Sequence, residues 1–247
     1  MKVDPATQAR LLEVQSLDTT LDRLAHRRRT LPEIGAIEDV ERRLQEIHDS
    51  LVAARTADGD LAREQAKVEA DVETVRARAR RDQQRLDAGD VASPKELENL
   101  QSEIASLERR RGELEDAVLE IMEKREALQT EIETLEAESA KLTEERAALM
   151  ARRDAALAEI EREEAATTAA RRSLVPEIPD DLMTLYERLR ASSGGIGAAA
   201  LHRGRCEGCH LTLNPADLAR IRAADPDDVV RCEECGRILI RTPESGL

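Results

Sequence analysis

The sequence contains no phenylalanine and no tryptophan, and its one tyrosine is Tyr186. With the apolar share made mostly of alanine and leucine, there are too few bulky side chains to fill a wide globular core. Long helices packed along a narrow seam need fewer of them. Also missing is any apolar run near the ~20 residues of a membrane span, and the opening "MKVDPATQARLLEVQSLDTT" has no apolar stretch of signal-peptide type. These absences predict a cytoplasmic protein without membrane contact. An excess of positive charge is lacking too: 38 Lys and Arg stand against 52 Asp and Glu, a net charge of -14. That balance disfavours a general-purpose binder of nucleic acid or anionic membranes, and leaves only local basic patches for such work. Cysteine is confined to Cys206, Cys209, Cys232 and Cys235. In a reducing compartment, four thiols at one end of a long chain point to metal or redox chemistry in preference to disulfides.

What is present is a repeat. From Leu97 onward apolar residues alternate at spacings of three and four. One set reads Leu100, Leu107, Leu114, Ile121, Leu128, Leu135, Leu142, Leu149 and Ala156. A second set, Leu97, Ile104, Val118, Ile132 and Ile160, is interrupted by Arg111, Arg125, Ser139, Arg146 and Arg153. A period of 3.5 sustained this long is a coiled-coil signature. Ser93-Pro94-Lys95-Glu96 supplies an N-cap, a first-turn proline and a capping-box glutamate, so a helix is expected from Pro94 to about Arg172, about 115 to 120 Å long. Upstream, Ile37, Val40, Leu44, Ile47, Leu51, Ala54, Leu61, Val68, Val72, Val75, Ala79 and Leu86 follow the same rule, with Asp58, Gln65 and Asp82 as polar interruptions. A shorter seam of Leu17, Leu21, Leu24 and Leu31 is out of phase with it, which places a break near 32–36, at Pro32 and Gly35. "RLDAGDVAS" is too short for anything but a reversal, giving a tip loop near 86–93. The expected fold is mainly α: a long antiparallel coiled-coil hairpin over 1–173, with the first segment lying back along the later turns of the long second arm. The seam arginines either snorkel at its edge or pair with Asp58, Asp82 or flanking glutamates to set register.

Pro176 and Pro179 end the repeat, so 174–197 reads as a linker and a short amphipathic helix with Leu182, Leu185, Tyr186 and Leu189 on one face. "SSGGIG" lacks the GK[ST] ending of a phosphate-binding loop and reads as a turn. The remaining 198–247 holds "CEGC", twenty-two further residues, then "CEECG". Two C-x2-C pairs can converge four thiolates on one tetrahedral zinc ion with bonds near 2.3 Å. A redox pair would need a βαβ context that is missing here. Gly208 and Gly236 are expected to allow the left-handed turns of the two knuckles. "RILIR" should be a strand, and short strands near "AALHRG" and "LTL" should pair in antiparallel fashion. Four cysteines close the metal shell, so the zinc is expected to be structural and His202 and His210 are not needed as ligands.

These segments together resemble a bacterial family that joins an antiparallel coiled-coil hairpin to a C-terminal C4-type zinc ribbon. The likeness is carried by "SPKELENLQSEI", "LYERLR", "GGIGAAALHRGRCEGCHLTL" and "CEECGRILI", with the four cysteines matching as zinc ligands. Relatives in that family are chaperone-type binders of the sigma-54 transcription factor linked to flagellar gene expression, and RNA binding is also attributed to them. The resemblance implies a regulatory adaptor with a transcription-related protein partner.

The residues themselves pose two alternatives, a protein-binding adaptor and an RNA- or DNA-binding protein. Candidate contacts for either are Arg76, Arg78, Arg80, Arg81, Arg85, Lys95, Arg109, Arg110 and Arg111 towards the hairpin tip, and Arg203, Arg205, Arg237 and Arg241 around the ribbon. Acids such as Asp82, Asp87, Glu96, Glu98, Glu103 and Glu108 share the tip region. Without aromatic stacking platforms, nucleic-acid binding would be backbone-directed and strongly salt-dependent. No nucleophile, base and orienting group can be assembled, so neither an enzyme nor a small-molecule substrate is expected.

Overall fold

Heptad periodicity shapes the long helices, and side-chain caps at Asp4, Ser93 and Asn214 mark three of the helix starts. The computed structural model describes residues 1–247. It contains α1 (Pro5–Arg29), α2 (Pro32–Asp87), α3 (Pro94–Leu174), a 3-10 turn at Val175–Glu177, α4 (Asp180–Ser192), β1 (Ala198–His202), β2 (Arg205–Cys206), α5 (Pro215–Ala223), β3 (Val230–Arg231) and β4 (Ile238–Arg241). The chain is mainly helical, with long helices forming a hairpin and a small strand region at its C-terminal end. Two compact units are distinguished, Ala36–Met150 and Met1–Gly35 with Ala151–Leu247.

In the first of these units, α2 and α3 pair antiparallel. Val40, Ile47, Leu51 and Leu142 form a buried cluster flanked by Leu44, Ile132, Leu135 and Leu149. Leu100, Leu114, Ile121 and Ala79 are buried as well, whereas Leu97, assigned to the seam by its spacing, is 39% exposed. At the turn, Glu96 N–H donates to Ser93 Oγ at 3.2 Å, and the Glu96 carboxylate accepts from Ala92 N–H at 2.9 Å. The box thus closes one residue earlier than the standard pattern. Most seam arginines lie at the edge: Arg146 reaches Glu41 at 2.9 Å, and Arg111 pairs with Glu108 and Glu115 on its own helix. Arg125 differs. Its Nε donates to Asp58 at 2.9 Å and its Nη1 to Gln65 at 3.0 Å, joining the polar interruptions of both helices across the seam. Asp82 has no such partner.

In the other unit the helix break falls at Thr30 and Leu31. Pro32 is the first residue of α2 and Gly35 lies within it, which corrects the placement at Pro32 and Gly35: proline is tolerated in a first helical turn, where its missing N–H has no partner to lose. Leu24, Leu31 and Ile160 pack together, and Arg27 and Arg28 pair with Glu159 and Glu164. The N-terminal half of α1 is part of the ribbon's core. Leu11 and Val14 cluster with Leu182, Met183, Tyr186, Ile238 and Ile240.

The ribbon's sheet has the order β2-β1-β4-β3. β1 pairs with β4 in parallel, Ala198 opposite Ile238. The expectation of purely antiparallel pairing is therefore wrong, and "LTL" contributes only an isolated bridge from Thr212 to Arg205. Both faces of β4 are covered: Ile238 and Ile240 face α1 and α4, while Leu239 faces the cysteine side with Leu213 and Ile221. Double coverage explains three consecutive apolar residues where a half-exposed strand would alternate. Helix α5, between the knuckles, was not expected from the sequence, although Asn214-Pro215 announces it. Asn214 Oδ1 accepts from Asp217 N–H at 2.9 Å, and proline occupies the first turn.

A buried polar cluster fixes α1, α3, α4 and β1 together. Tyr186 Oη donates to Asp18 at 2.7 Å, and Arg171 Nε donates to the same carboxylate at 2.7 Å. Gln15 Oε1 accepts from Gly197 N–H at 2.7 Å. Burial, reinforced by the Asp18 carboxylate, pushes the Tyr186 phenol well above its ordinary range, so it keeps its proton and remains a donor.

Candidate metal centre

The two cysteine pairs fold into near-duplicate knuckles. In the first, His210 N–H donates to Cys206 O at 2.8 Å and Cys206 N–H to Leu211 O at 3.0 Å; in the second, Gly236 N–H donates to Cys232 O at 2.8 Å and Cys232 N–H to Arg237 O at 2.9 Å. The residue after each second cysteine is left-handed, His210 at φ 62° and Gly236 at φ 73°. Gly236 thus has the role foreseen for it. Gly208 does not, since its φ is not positive. Its hydrogen side chain is required by crowding: a Cβ there would lie 2.8 Å from Arg237 Cδ and 3.0 Å from Ala199 Cβ. The strained left-handed position of the first knuckle is occupied by His210, which costs about 1 kcal/mol for a residue with a Cβ.

The duplication extends to a side chain. The arginine before each knuckle turns back on it, Arg205 Nε donating to His210 O at 2.8 Å and Arg231 Nε to Gly236 O at 2.7 Å. Each guanidinium clamps the carbonyl at the left-handed residue, where no strand partner is available.

All four sulfurs lie within 4.8 Å of one another, with Cys206 to Cys235 at 4.0 Å and Cys209 to Cys232 at 3.9 Å. A tetrahedral zinc with bonds of about 2.3 Å requires sulfurs about 3.8 Å apart, so the cluster fits one ion. Cys206 and Cys232 are buried. Burial pushes the Cys206 thiol up and that of Cys232 up to about 12. At Cys235 burial acts in the same direction, but the Arg237 N–H and neighbouring thiols outweigh it and lower that thiol to about 7. Four thiolates brought this close repel and are poorly solvated, and a dication between them supplies the compensating charge. Four protein ligands leave no position for an activated water, so the zinc is structural. His202 lies apart from the sulfurs, its Nδ1 3.2 Å from Glu244.

With this geometry in place, the comparisons with known proteins agree on a family. The CT398-like coiled coil hairpin domain matches residues 14–194, and the C4-type zinc ribbon domain matches residues 205–239. The uncharacterized protein Rv2229c of Mycobacterium tuberculosis is 40% identical over 241 residues, covering 98% of each chain. A solved structure from Mycobacterium smegmatis aligns with a TM-score of 0.86 at 36% identity, over 98% of this chain and 100% of that one. CT398 from Chlamydia trachomatis aligns with a TM-score of 0.72 at 19% identity, over 96% and 98%, and shares the fold. The chain belongs to the CT398-like coiled-coil hairpin family that carries a C4-type zinc ribbon. No helix is long and apolar enough to cross a membrane.

The basic residues singled out by sequence have different fates. Around the ribbon, Arg205 is the clamp described above, Arg237 donates to Ile196 O at 3.0 Å and Ser193 O at 2.6 Å. Arg241 donates to four carbonyls, those of Ala224, Asp225, Pro226 and Asp228, at 2.7 to 3.2 Å. On the hairpin, Arg76, Arg78, Arg85, Arg110 and Arg111 pair with Glu73, Glu103, Glu96, Glu113 and Glu108 respectively. Arg80, Arg81, Lys95, Arg109 and Arg203 have no carboxylate within 4.0 Å.

Sequence reasoning overlooked Gln15, Asp18 and Arg231. Only the last left a legible signal, the repetition of Arg before both C-x2-C pairs.

Proposed function

We propose that the protein is a non-enzymatic, zinc-containing coiled-coil adaptor that binds a protein partner, with a transcription-related, sigma-factor-chaperone-like role as the specific form. The observation that carries this reading is how the ribbon's polar groups are spent. Its zinc shell is closed, and Arg205, Arg237 and Arg241 are occupied by backbone carbonyls. What remains outward on the ribbon includes the exposed apolar side chain of Leu211, and the hairpin exposes Val52, Leu119 and Met122. Exposed apolar groups of this kind suit protein contacts better than phosphate contacts.

RNA or DNA binding is the second reading, favoured by Arg80, Arg81, Lys95 and Arg109 on the hairpin and Arg203 on the ribbon, whose charges are not neutralised by carboxylates. Affinity purification with mass spectrometry, alongside RNA and duplex-DNA binding at two salt concentrations, separates the two. The adaptor reading expects one enriched protein and no retained nucleic acid. Tight nucleic-acid binding that collapses with added salt, with no protein enriched, would overturn it.

A further inference from the structure

A two-stranded coiled coil buries one seam and normally surrounds it with charged side chains. The hairpin departs from this pattern in the stretch where α3 residues 115–129 run beside α2. Leu119 and Met122 lie outside the seam on α3 and are 58% and 48% exposed. They adjoin Val72 and Val118, which are seam residues yet only half-buried. Two adjacent grooves share Leu119: one lies between Val72 and Val118, the other runs past Met122 to Gln129. The apolar stripe is thus continuous.

The rim is acidic. Glu69, Glu73, Glu115, Glu123 and Glu126 line the grooves, and the one basic lining residue is Arg125. Arg125 is paired with Asp58, and Glu73 and Glu115 are paired with Arg76 and Arg111, so the acids left without a cation are Glu69, Glu123 and Glu126. A second copy of this chain would bring the same acids face to face on a molecule of net charge -14. A phosphate backbone would be repelled as well. A helix with an apolar stripe and flanking lysines or arginines meets both the groove and its rim.

We propose that this face docks a basic amphipathic helix of a partner protein, forming a local three-helix bundle through Val72, Val118, Leu119 and Met122. At 1.5 Å per residue the stretch 115–129 is about 21 Å long, so the docked segment is about two heptads. This deepens the adaptor reading and rests on it, but the two fail separately.

The test uses the full chain and a synthetic helix with leucine at a and d positions, lysine elsewhere and one tryptophan. Because the chain holds no tryptophan, the peptide's fluorescence is read without background. The expected result is saturable binding to the wild-type chain, and no binding of the same peptide with glutamate in place of lysine. The double variant Leu119→Glu with Met122→Glu should weaken binding at least tenfold while helical circular dichroism is retained. Glu123→Gln with Glu126→Gln, which leaves the apolar contacts intact, should weaken it a few-fold, and Val52→Glu, at an exposed apolar site elsewhere on the hairpin, less than twofold. Absence of wild-type binding, or equal affinity in the Leu119 and Met122 double variant, overturns the proposal. So does a wild-type dimer in sedimentation that this double variant dissociates, since a second copy then covers the face. A pulled-down partner indifferent to the double variant removes the groove and leaves the adaptor.

Discussion

Arg241 in the ribbon donates to four backbone carbonyls, whereas Arg78 in the hairpin pairs with the single carboxylate of Glu103, both of those side chains being exposed. The same side chain does different work because the two regions satisfy their backbones differently. In α2 and α3 each interior peptide group is bonded within its own helix, so arginines there meet mainly other side chains, the exception being Arg162, whose Nε reaches Ala158 O at 3.2 Å. In the ribbon, strands as short as Val230–Arg231 leave loop carbonyls such as that of Ala224 outside any strand ladder. The forked guanidinium, with five donors, replaces the missing strand bonds. A small region with little apolar area to bury thus depends on metal and side-chain cross-links, and a long hairpin depends on repetition of a seam.

This contrast can be broken experimentally, most severely at the metal. Cys232→Ser should abolish the ribbon's order, because zinc coordination contributes an apparent ~10 to 16 kcal/mol in small modules. Metal analysis should fall from about one zinc per chain to none, with the circular dichroism of the helices largely kept. A zinc-free protein with an intact ribbon would contradict the contrast outright. Next in size, Arg241→Ala should cost about 2 to 3 kcal/mol by leaving several carbonyls without a charged donor, read as zinc release at lower urea concentration. Arg241→Lys should recover only part of this, since an ammonium cannot span the same acceptors.

Arg125→Leu tests the hairpin arginine that bonds to two side chains of the facing helix across the seam. Loss of its bonds to Asp58 and Gln65 should cost about 1 to 2 kcal/mol in thermal melting. An unchanged or raised melting temperature with a single hairpin species retained would remove its role in register. His210→Gly should raise the stability of the ribbon by about 0.5 to 1 kcal/mol by relieving the left-handed side chain at φ 62°. Arg78→Ala should move the melting transition least, by less than about 0.5 kcal/mol, because its pair is exposed.

Most of the seam was legible because a heptad repeat is a local property: Leu100, Leu114, Ile121 and Leu142 are buried where their spacing puts them. Leu97 misled because it stands in the first turn of α3, where the seam is only beginning. The left-handed position after the second cysteine was recognised at Gly236 and missed at His210, since residue type reveals it only when glycine is used. Gly208 was assigned to the right region for the wrong reason, its neighbour Arg237 being supplied by the other knuckle.

By itself, then, the sequence determined the helical class, the hairpin reversal marked by Ser93 and Pro94, and a four-thiolate metal site, because periodicity, caps and C-x2-C spacing act over a few residues. Tertiary structure alone decided that β1 runs parallel to β4, that Asp18 and Gln15 are buried against Tyr186 and Gly197, and which arginines are free. Those outcomes depend on contacts between residues far apart in the chain, 182 positions from Gln15 to Gly197, and no local pattern encodes which carbonyl or carboxylate a long side chain will reach.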